Sequence, residues 1–261
     1  MAFRPRNWLD RIARERARAS WARFSRSTDA MRPARLRILR EEAGGLRADL
    51  DRFLLLSSRR AAASRAELAA LPLPGGTDWR WRPGLFAGPV RPEGVAAPAP
   101  GRVLTDGAAL WHDCGSRAIV ARQLRNAGAT DLAAFGLRIE TFGFTGGFIS
   151  LAVELPPDAL RGLTRNHILR FETAIQTERA VAVYARLNVG NGPNTEELLS
   201  HFGRIPGEGV AVHVAEYDLA LTEMNEKRLD KVWLDLIFEK PAMNAVVIRD
   251  MIFSRHPRAN L

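Results

Sequence analysis

Residues 231–255 read KVWLDLIFEKPAMNAVVIRDMIFSR and give the clearest secondary-structure signal in the chain. Their first part alternates between apolar and mixed side chains, the period of two that a half-buried strand requires. One face carries Val232, Leu234, Leu236 and Phe238, and the other carries Trp233, Asp235, Ile237 and Glu239. The pattern predicts a strand over residues 232–239 with the first of these faces in a core.

The second part of this stretch predicts another strand and the turn before it. Residues 245–254 are apolar on both faces apart from Arg249 and Asp250, which is typical of a strand in the middle of a sheet. Pro241 cannot donate to a strand ladder, so residues 240–244 are expected to form a tight turn. We therefore predict a β-hairpin on which the upstream sheet closes.

The composition of the 261-residue chain, 46% hydrophobic and 26% charged, is that of an ordinary globular protein. Its apolar runs fall short of the roughly 18–20 residues that cross a bilayer. Arg and Glu interrupt the N-terminus, which lacks the apolar core of a secretory signal. The single cysteine, Cys114, excludes an internal disulfide. We expect a cytoplasmic protein.

The positive charge is concentrated in residues 1–70, which hold 17 Arg against 8 Asp or Glu. This surplus equals the net charge of the whole chain, +9, so the rest is neutral. A basic arm on a neutral body predicts an anionic partner for the arm: a membrane surface, nucleic acid or an acidic protein. A GC-rich genome that favours Arg codons explains the same count without any partner.

Two helices are predicted in this arm. Residues 7–26 carry large apolar side chains among Arg residues, so this helix lies at a membrane interface or packs on its own domain. The apolar groups are Trp8, Leu9, Ile12, Trp21 and Phe24. Residues 33–70 carry a seam of coiled-coil spacing, weakened in its middle by Gly44-Gly45. Its members are Leu36, Leu39, Ala43, Leu46, Leu50, Phe53 and Ser57. The seam can pair within the chain, which we favour, or with a second copy in a homo-oligomer.

Residues 71–101 are rich in Pro and Gly and predict a connector. Two tryptophans in it, Trp79 and Trp81, either anchor the connector on the next domain or form a stacking platform with Arg80 and Arg82. We favour the anchor.

Residues 102–261 are predicted to form a β-sandwich. Short strand candidates alternate with Gly, Pro and Asn turns, with hardly any helix between them. They cover residues 109–113, 118–122, 135–142, 148–155, 167–175, 180–189, 209–219 and the hairpin. Residues 192–206 are expected to be a loop with one helical turn. The predicted fold class is mainly β, an antiparallel jelly-roll-like β-sandwich with an N-terminal α-helical extension.

Outward side chains of these strands predict a binding face. In residues 180–189 the odd-numbered apolar series is assigned to the core, which leaves the even-numbered polar residues outward. In residues 209–219 the valines at even positions are assigned to the core, and the hairpin strand adds two more outward groups. The candidate ligand-binding residues are Tyr184, Arg186, Asn188, His213, Tyr217, Trp233 and Asp235.

This mixture of side chains suits a saccharide. Aromatic rings pack on the faces of pyranose rings, and planar polar groups pair with neighbouring hydroxyls. An ordinary solvent-facing sheet has a similar content, and the N-terminal helices could also cover such a face.

Catalytic and metal signatures are weak. The five histidines do not recur at metal-ligand spacing, and residues 143–147, GFTGG, lack the Lys-Ser/Thr pair of a phosphate loop. Cys114 near His112 is no nucleophile–base pair on adjacency alone. A calcium site and a glycosidase pair stay open. The carboxylates considered for the pair are Glu172, Glu216, Asp218, Asp235 and Asp250. We expect non-catalytic binding without a cofactor.

Four segments carry a resemblance to known proteins: GTDWRWRPGLFAGPV (75–89), DGAALWHDC (106–114), VYARLNVGNGPN (183–194) and VWLDLIFEKPAMNAVVIRDMIFSRHPRA (232–259). On these the chain resembles a family of alphaproteobacterial proteins without an assigned activity. The order of strands is also similar to that of carbohydrate-binding jelly rolls, whose last strand often carries an Asp, as residues 247–250 do here. That likeness implies glycan binding by analogy of fold.

The predicted function is therefore non-catalytic recognition of a saccharide or polysaccharide on the outward sheet face. The alternative is a scaffold for protein interaction or at a membrane surface, recruited through residues 1–70. Nucleic acid ranks third among the partners, because the arm lacks a recognition helix or zinc module. The remaining hypothesis is an enzyme whose catalytic pair can be recognised only in three dimensions.

Overall fold

The computed structural model describes residues 5–65, 68, 71–128, 131–207 and 209–258. These residues fall into two units, divided between Leu56 and Ser57. The first unit is helical and the second contains two β-sheets.

The N-terminal helices agree with the sequence pattern. Helix α1 (Pro5–Arg26) and a 3₁₀ turn (Thr28–Ala30) are followed by α2 (Pro33–Arg65), with Pro33 in the first turn, where its missing N–H does no harm. Helix α2 continues through Gly44-Gly45, whose glycines border open space. The side chains of Trp8, Leu9 and Ser57 and the predicted helix end at residue 70 lie outside what the structure describes. No helix among the described residues is long and apolar enough to cross a membrane.

The second unit holds thirteen described strands. They are β1 (Trp79–Trp81), β2 (Gly94–Ala96), β3 (Arg102–Thr105), β4 (Ala108–His112), β5 (Ile119–Arg125), β6 (Phe135–Thr141), β7 (Phe148–Glu154), β8 (His167–Thr177), β9 (Val181–Asn191), β10 (Asn194–Ile205), β11 (Ala211–Asp218), β12 (Leu229–Glu239) and β13 (Asn244–Pro257). Short helices α3 (Gly84–Ala87) and α4 (Pro157–Leu160) and 3₁₀ turns at Leu219–Leu221 and Glu226–Arg228 join them.

The strand order makes this unit a jelly roll. The first sheet has the order β11-β8-β13-β6-β5-β2, with β1 paired to β13, and the second has β10-β9-β12-β7-β4-β3. All strand pairs are antiparallel. From β6 to β13 each strand lies in the sheet opposite to its predecessor, except β10, which pairs with β9 in the second sheet. This gives two four-stranded cores of jelly-roll order. The predicted fold class is confirmed.

Residues 231–255 do not form the predicted hairpin. Strands β12 and β13 lie in different sheets, and residues 240–243 carry the chain from one to the other. Lys240 and Ala242 adopt left-handed backbone conformations in this connection, with φ of 41° and 53°. The prediction of two paired strands is wrong, although both strands exist and β13 is central, as its composition indicated.

The core lies between the two sheets. Val232, Leu234, Leu236 and Phe238 of β12 are fully buried there, as their alternation predicted. Strand β13 packs on them from the other sheet with Val246, Ile248, Met251 and Phe253. A β-bulge between Ile248 and Asp250 keeps both halves of β13 facing inward. Each such side chain stabilises the fold by about 1.5–3 kcal/mol through burial of apolar surface.

Two segments predicted to be irregular are part of the sheets. Residues 71–101 contain β1, α3 and β2, and the rings of Trp79 and Trp81 stack on each other with centroids 6.5 Å apart. Trp81 also packs on Phe253 of the core, so the predicted anchor is confirmed for this ring. Residues 192–206 are not a loop with a helical turn, because Asn194–Ile205 pairs with β9 along its length and gains the ladder hydrogen bonds.

Candidate functional site

A groove crosses the outward face of the second sheet, where β12, β7 and β4 lie side by side. The register aligns Asp235 with Ala152, and Ala152 with Ala109. Two residues further along β12, Ile237 is level with Ser150. The small floor residues leave a groove of about 560 Å³, within the range of roughly 300–1,000 Å³ that is usual for ligand sites. We call it the aromatic groove, and its walls are Trp111, Phe148 and Trp233.

The wall residues keep their rings open to solvent. Trp111 is 48% exposed and Phe148 is 38% exposed, although both stand on strands of a packed sheet. Lys231 holds its ammonium 4.5 Å from the ring centroid of Trp233, a cation–π contact. The ring of Trp111 rests on Gly101, where an added Cβ atom would lie 3.0 Å from it, and the φ of 77° at this position favours glycine.

The aromatic rings are widely spaced along the groove. Trp233 is level with Glu154 of β7, and Trp111 is level with Ser150 of the same strand. Strand spacing puts them about 10 Å apart across the sheet, and four residues put them about 13 Å apart along it. The Cα atoms of Trp233 and Trp111 therefore lie about 16 Å apart on a diagonal across β7, farther than one sugar ring extends.

A polar cluster borders the groove on the side of β9. Asp235 Oδ2 accepts hydrogen bonds from Arg186 Nη2 at 2.9 Å and from Asn188 Nδ2 at 3.0 Å. Arg186 Nη1 also donates to Glu197 Oε2 at 3.4 Å. Asp235 Oδ1 accepts no hydrogen bond from the described residues, so it remains able to accept one from a ligand.

Ser150 adds a second unused polar atom to the floor. The residue is 3% exposed, and its Oγ has no hydrogen-bond partner among the described residues. An unsatisfied buried hydroxyl costs about 1–3 kcal/mol. A ligand hydroxyl that reached this floor would remove that cost.

Five of the seven sequence-predicted residues share this face. Trp233, Asp235 and Arg186 line the aromatic groove, and Asn188 supports Asp235 from behind. Tyr184 stands on the same face beyond the groove. Its ring stacks on His201, and its hydroxyl donates to Glu239 Oε2 at 3.1 Å, which raises the pKa of Tyr184.

His213 and Tyr217 do not face outward, and that prediction is wrong. Tyr217 is 3% exposed, and its hydroxyl donates to the carbonyl of Ala185 in the opposite sheet at 2.8 Å. His213 stacks on Phe202 across the sandwich at 5.0 Å, and burial lowers its pKa. These two aromatic rings pack between the sheets, so the inward face of β11 is the one opposite to the predicted face. The valines of β11 are therefore exposed to solvent.

Residues around Cys114 do not form a nucleophile–base pair. The backbone N–H of Cys114 donates to His112 Nδ1 at 3.2 Å, and His112 Nε2 donates to the carbonyl of Pro98 at 3.0 Å. Both ring nitrogens are therefore occupied. The hydrogen bond with Ser116 lowers the pKa of the buried Cys114 thiol to about 6, assisted by donors of Thr145.

The carboxylates considered for a glycosidase pair each have an arginine partner. Arg170 binds both Glu172 and Glu216, and the remaining pairs are Asp218 with Arg258, Asp235 with Arg186, and Asp250 with Arg82. The described residues hold no group of three or more His, Cys, Asp or Glu side chains placed to bind a metal.

Sequence reasoning missed Trp111, Phe148 and Ser150. Trp111 and Phe148 stand in predicted strands, and alternation alone assigns Trp111 to the face opposite Leu110. The missing information was the neighbour of each strand, since only the order β12-β7-β4 brings these side chains beside Trp233.

The fold and the face together define a jelly-roll β-sandwich with a helical extension and a groove on one sheet. Within that class the chain belongs to DUF6478, a family of unknown function, whose sequence model matches residues 1–261. The resemblance to a family without an assigned activity is thereby confirmed. A search of curated proteins finds no match.

Several solved structures are similar to the chain at low identity. The enzymatically active domain of tailspike protein 4 from bacteriophage CBA120 matches at 5% identity with a TM-score of 0.40, over 56% of this chain and 19% of its own. The CBM22-1 xylan-binding domain from Paenibacillus barcinonensis Xyn10C matches at 10% identity with a TM-score of 0.37, over 64% of this chain and 94% of its own. The Stig cyclase Fisc from Fischerella sp. TAU matches at 10% identity with a TM-score of 0.36, over 75% of this chain and 96% of its own. These values are too low to bear on what this chain binds.

Proposed function

We propose that the aromatic groove binds a saccharide chain and leaves it chemically unchanged. The observation that carries the proposal is the arrangement of three solvent-accessible aromatic rings, Trp111, Phe148 and Trp233, around a floor of small residues. Soluble proteins seldom leave such rings together without a partner, so a cluster of this kind marks a binding site.

The aromatic rings supply the apolar half of the recognition. The C–H groups on one face of a pyranose ring pack well on an indole or phenyl ring, which buries a large area at a small loss of side-chain entropy. The diagonal of about 16 Å between Trp233 and Trp111 exceeds one sugar ring. We therefore expect a chain of several sugar units, with one unit on each ring.

Polar atoms between the rings supply the other half. Asp235 Oδ1 and Ser150 Oγ are both without partners among the described residues, and Asp235 borders the groove that Ser150 floors. Arg186, whose side chain is 37% exposed, presents a planar guanidinium next to Asp235. A planar donor beside a free acceptor oxygen matches two neighbouring hydroxyls.

A glycan array probed with the full chain tests the proposal, followed by calorimetric titration of the retained glycan. Trp233→Ala should weaken binding at least tenfold, about 1.4 kcal/mol, without a large change in thermal stability. Ala152→Leu should abolish binding, because the added side chain fills the floor without touching the core.

Two phenylalanines provide the matched control. Phe148 stands in the groove, and Phe142, 53% exposed, is not part of its lining. Phe148→Ala should weaken binding severalfold and Phe142→Ala should not. Equal binding by the two variants, no retained glycan at millimolar concentration, or a loss of several kcal/mol of stability in Trp233→Ala would each contradict the proposal.

A further inference from the structure

The two N-terminal helices enclose a second groove, at the bend between α1 and α2. Its volume is about 630 Å³, and it lies wholly within residues 21–40. Five large apolar side chains line it: Trp21, Phe24, Met31, Leu36 and Leu39. We call this the elbow groove. All five side chains are half-buried, and the rings of Trp21 and Phe24 meet edge to face at 5.6 Å.

Arginine surrounds the elbow groove. Residues 5–40 contain 11 Arg and 3 Asp or Glu, a denser positive charge than in any other part of the chain. Arg37 and Arg40 belong to the lining itself and are exposed. The ion pairs described in these helices are Arg11–Glu15 and Arg47–Asp51, so Arg37 and Arg40 pair with no described carboxylate.

We propose that the elbow groove docks on a bilayer of anionic phospholipid. Its apolar lining takes acyl chains at the level of the headgroups, as apolar faces of interfacial helices do. Arg37 and Arg40 bind the lipid phosphates, since a guanidinium donates two parallel hydrogen bonds to a phosphate. The surrounding arginines add long-range attraction to the negative surface.

The combination of features selects lipid over the other anionic partners. Nucleic acid binds a basic helix through phosphate contacts that need no apolar groove. An acidic protein partner would have to present an apolar segment and a negative rim together. A phospholipid carries an apolar chain and a negative headgroup in one molecule, and that pairing matches the elbow groove.

Co-sedimentation of the full chain with vesicles tests this surface. The chain should bind vesicles of phosphatidylglycerol and phosphatidylcholine but not phosphatidylcholine alone, and binding should weaken as salt screens the charges. Arg37→Gln/Arg40→Gln should reduce the partition coefficient by about fivefold per arginine. Arg14→Gln/Arg18→Gln removes the same charge outside the groove and should reduce it less.

A second pair of variants separates the groove from charge alone. Trp21→Ala/Phe24→Ala should lower vesicle binding at least tenfold, whereas Leu46→Ala/Phe53→Ala, at exposed positions outside the groove, should not. Far-UV circular dichroism verifies that the helices persist in both. Equal losses from the two pairs, no binding to the anionic vesicles, or equally tight binding of a single-stranded oligonucleotide that survives Trp21→Ala/Phe24→Ala would overturn the proposal.

Discussion

The outward faces of the two sheets carry different kinds of side chains, although both are exposed to solvent. On the first sheet, charged side chains pair with each other along and between strands. Arg170 binds Glu172 of its own strand at 3.0 Å and Glu216 of the neighbouring β11 at 2.8 Å, and Arg138 binds Glu140 of its own strand at 2.9 Å. On the second sheet, small residues form a floor between aromatic rings. A hollow of about 440 Å³ on the first sheet has aliphatic and charged lining, without an aromatic ring among its described residues.

This difference gives the outward faces of the two sheets different chemical character. Paired long side chains cover the first sheet with charged groups that bind one another. A floor of alanine and serine leaves apolar rings uncovered, and their exposure is unfavourable until a partner buries them. We expect substitutions on the first sheet to change stability and those in the aromatic groove to change binding.

The largest effect is expected from Arg82, which directly follows β1 of the first sheet. Its Nε and Nη2 donate to the two carboxylate oxygens of Asp250 at 2.8 Å, and both residues are buried. Arg82→Ala leaves a buried carboxylate without a counter-charge and should cost about 3–5 kcal/mol in urea unfolding. Arg122→Ala removes an exposed partner of Glu140 and should cost less than about 1 kcal/mol. Similar losses from both variants would contradict this ranking.

The same variant has a defined pH dependence. Burial raises the pKa of Asp250, and Arg82 opposes that rise. Without Arg82 the folded-state pKa moves further above the unfolded value of about 3.9. The folded variant then binds a proton more tightly than the unfolded chain, so its deficit relative to the parent shrinks as the pH falls through the folded pKa. Unfolding at a series of pH values from neutral downward measures this, and a constant deficit would contradict it.

A smaller effect separates the two tyrosines that the sequence placed on one face. Tyr217→Phe removes the buried hydrogen bond to Ala185 and should cost about 0.5–1.5 kcal/mol, with saccharide binding unchanged. Tyr184→Phe removes an exposed hydrogen bond to Glu239 and should change stability by less than about 0.5 kcal/mol. Thermal unfolding and glycan titration of both variants decide this. A loss of binding in Tyr217→Phe would indicate that β11 reaches the site.

The error at β11 has a physical origin. Residues 211–218, AVHVAEYD, alternate between a face of two valines, a glutamate and an aspartate and a face of alanine, histidine and tyrosine, so neither face is uniformly apolar. Hydrophobicity favours the valines, but Tyr217 buries a ring and gains a hydrogen bond that valine cannot make. Only the opposite sheet reveals that bond, so alternation found the strand and could not choose its face.

Strand existence was easier to predict than strand pairing. The period of two in β9 and β12 placed their buried residues correctly, because it depends only on neighbours in sequence. The prediction of a hairpin was wrong because a short turn can also connect strands of two different sheets. Strand β10 was missed because residues 196–199, EELL, favour a helix locally. Pairing with β9 overrides that preference.

The candidate site was predictable in part for the same reason. Trp233, Asp235 and Arg186 lie on adjacent strands that alternation alone assigns to an outward face. Ala109 and Ala152 carry no chemical signal in the sequence, since a small residue matters here only for the space it leaves. The shape of the groove therefore required the strand order, whereas the outward direction of the polar side chains did not.

The smallest effect is expected at Val212, and it tests the register of β11 directly. Val212 is 62% exposed on the edge strand of the first sheet, whereas Ala215 is 3% exposed and faces the core. Val212→Thr keeps the branched side chain and should change the free energy of unfolding by less than about 0.5 kcal/mol. Ala215→Thr forces extra atoms and a hydroxyl into the packed core and should cost about 1–3 kcal/mol. If the valines faced inward, the ranking of the two threonine variants in urea unfolding would reverse, because Val212→Thr would then bury an unpaired hydroxyl.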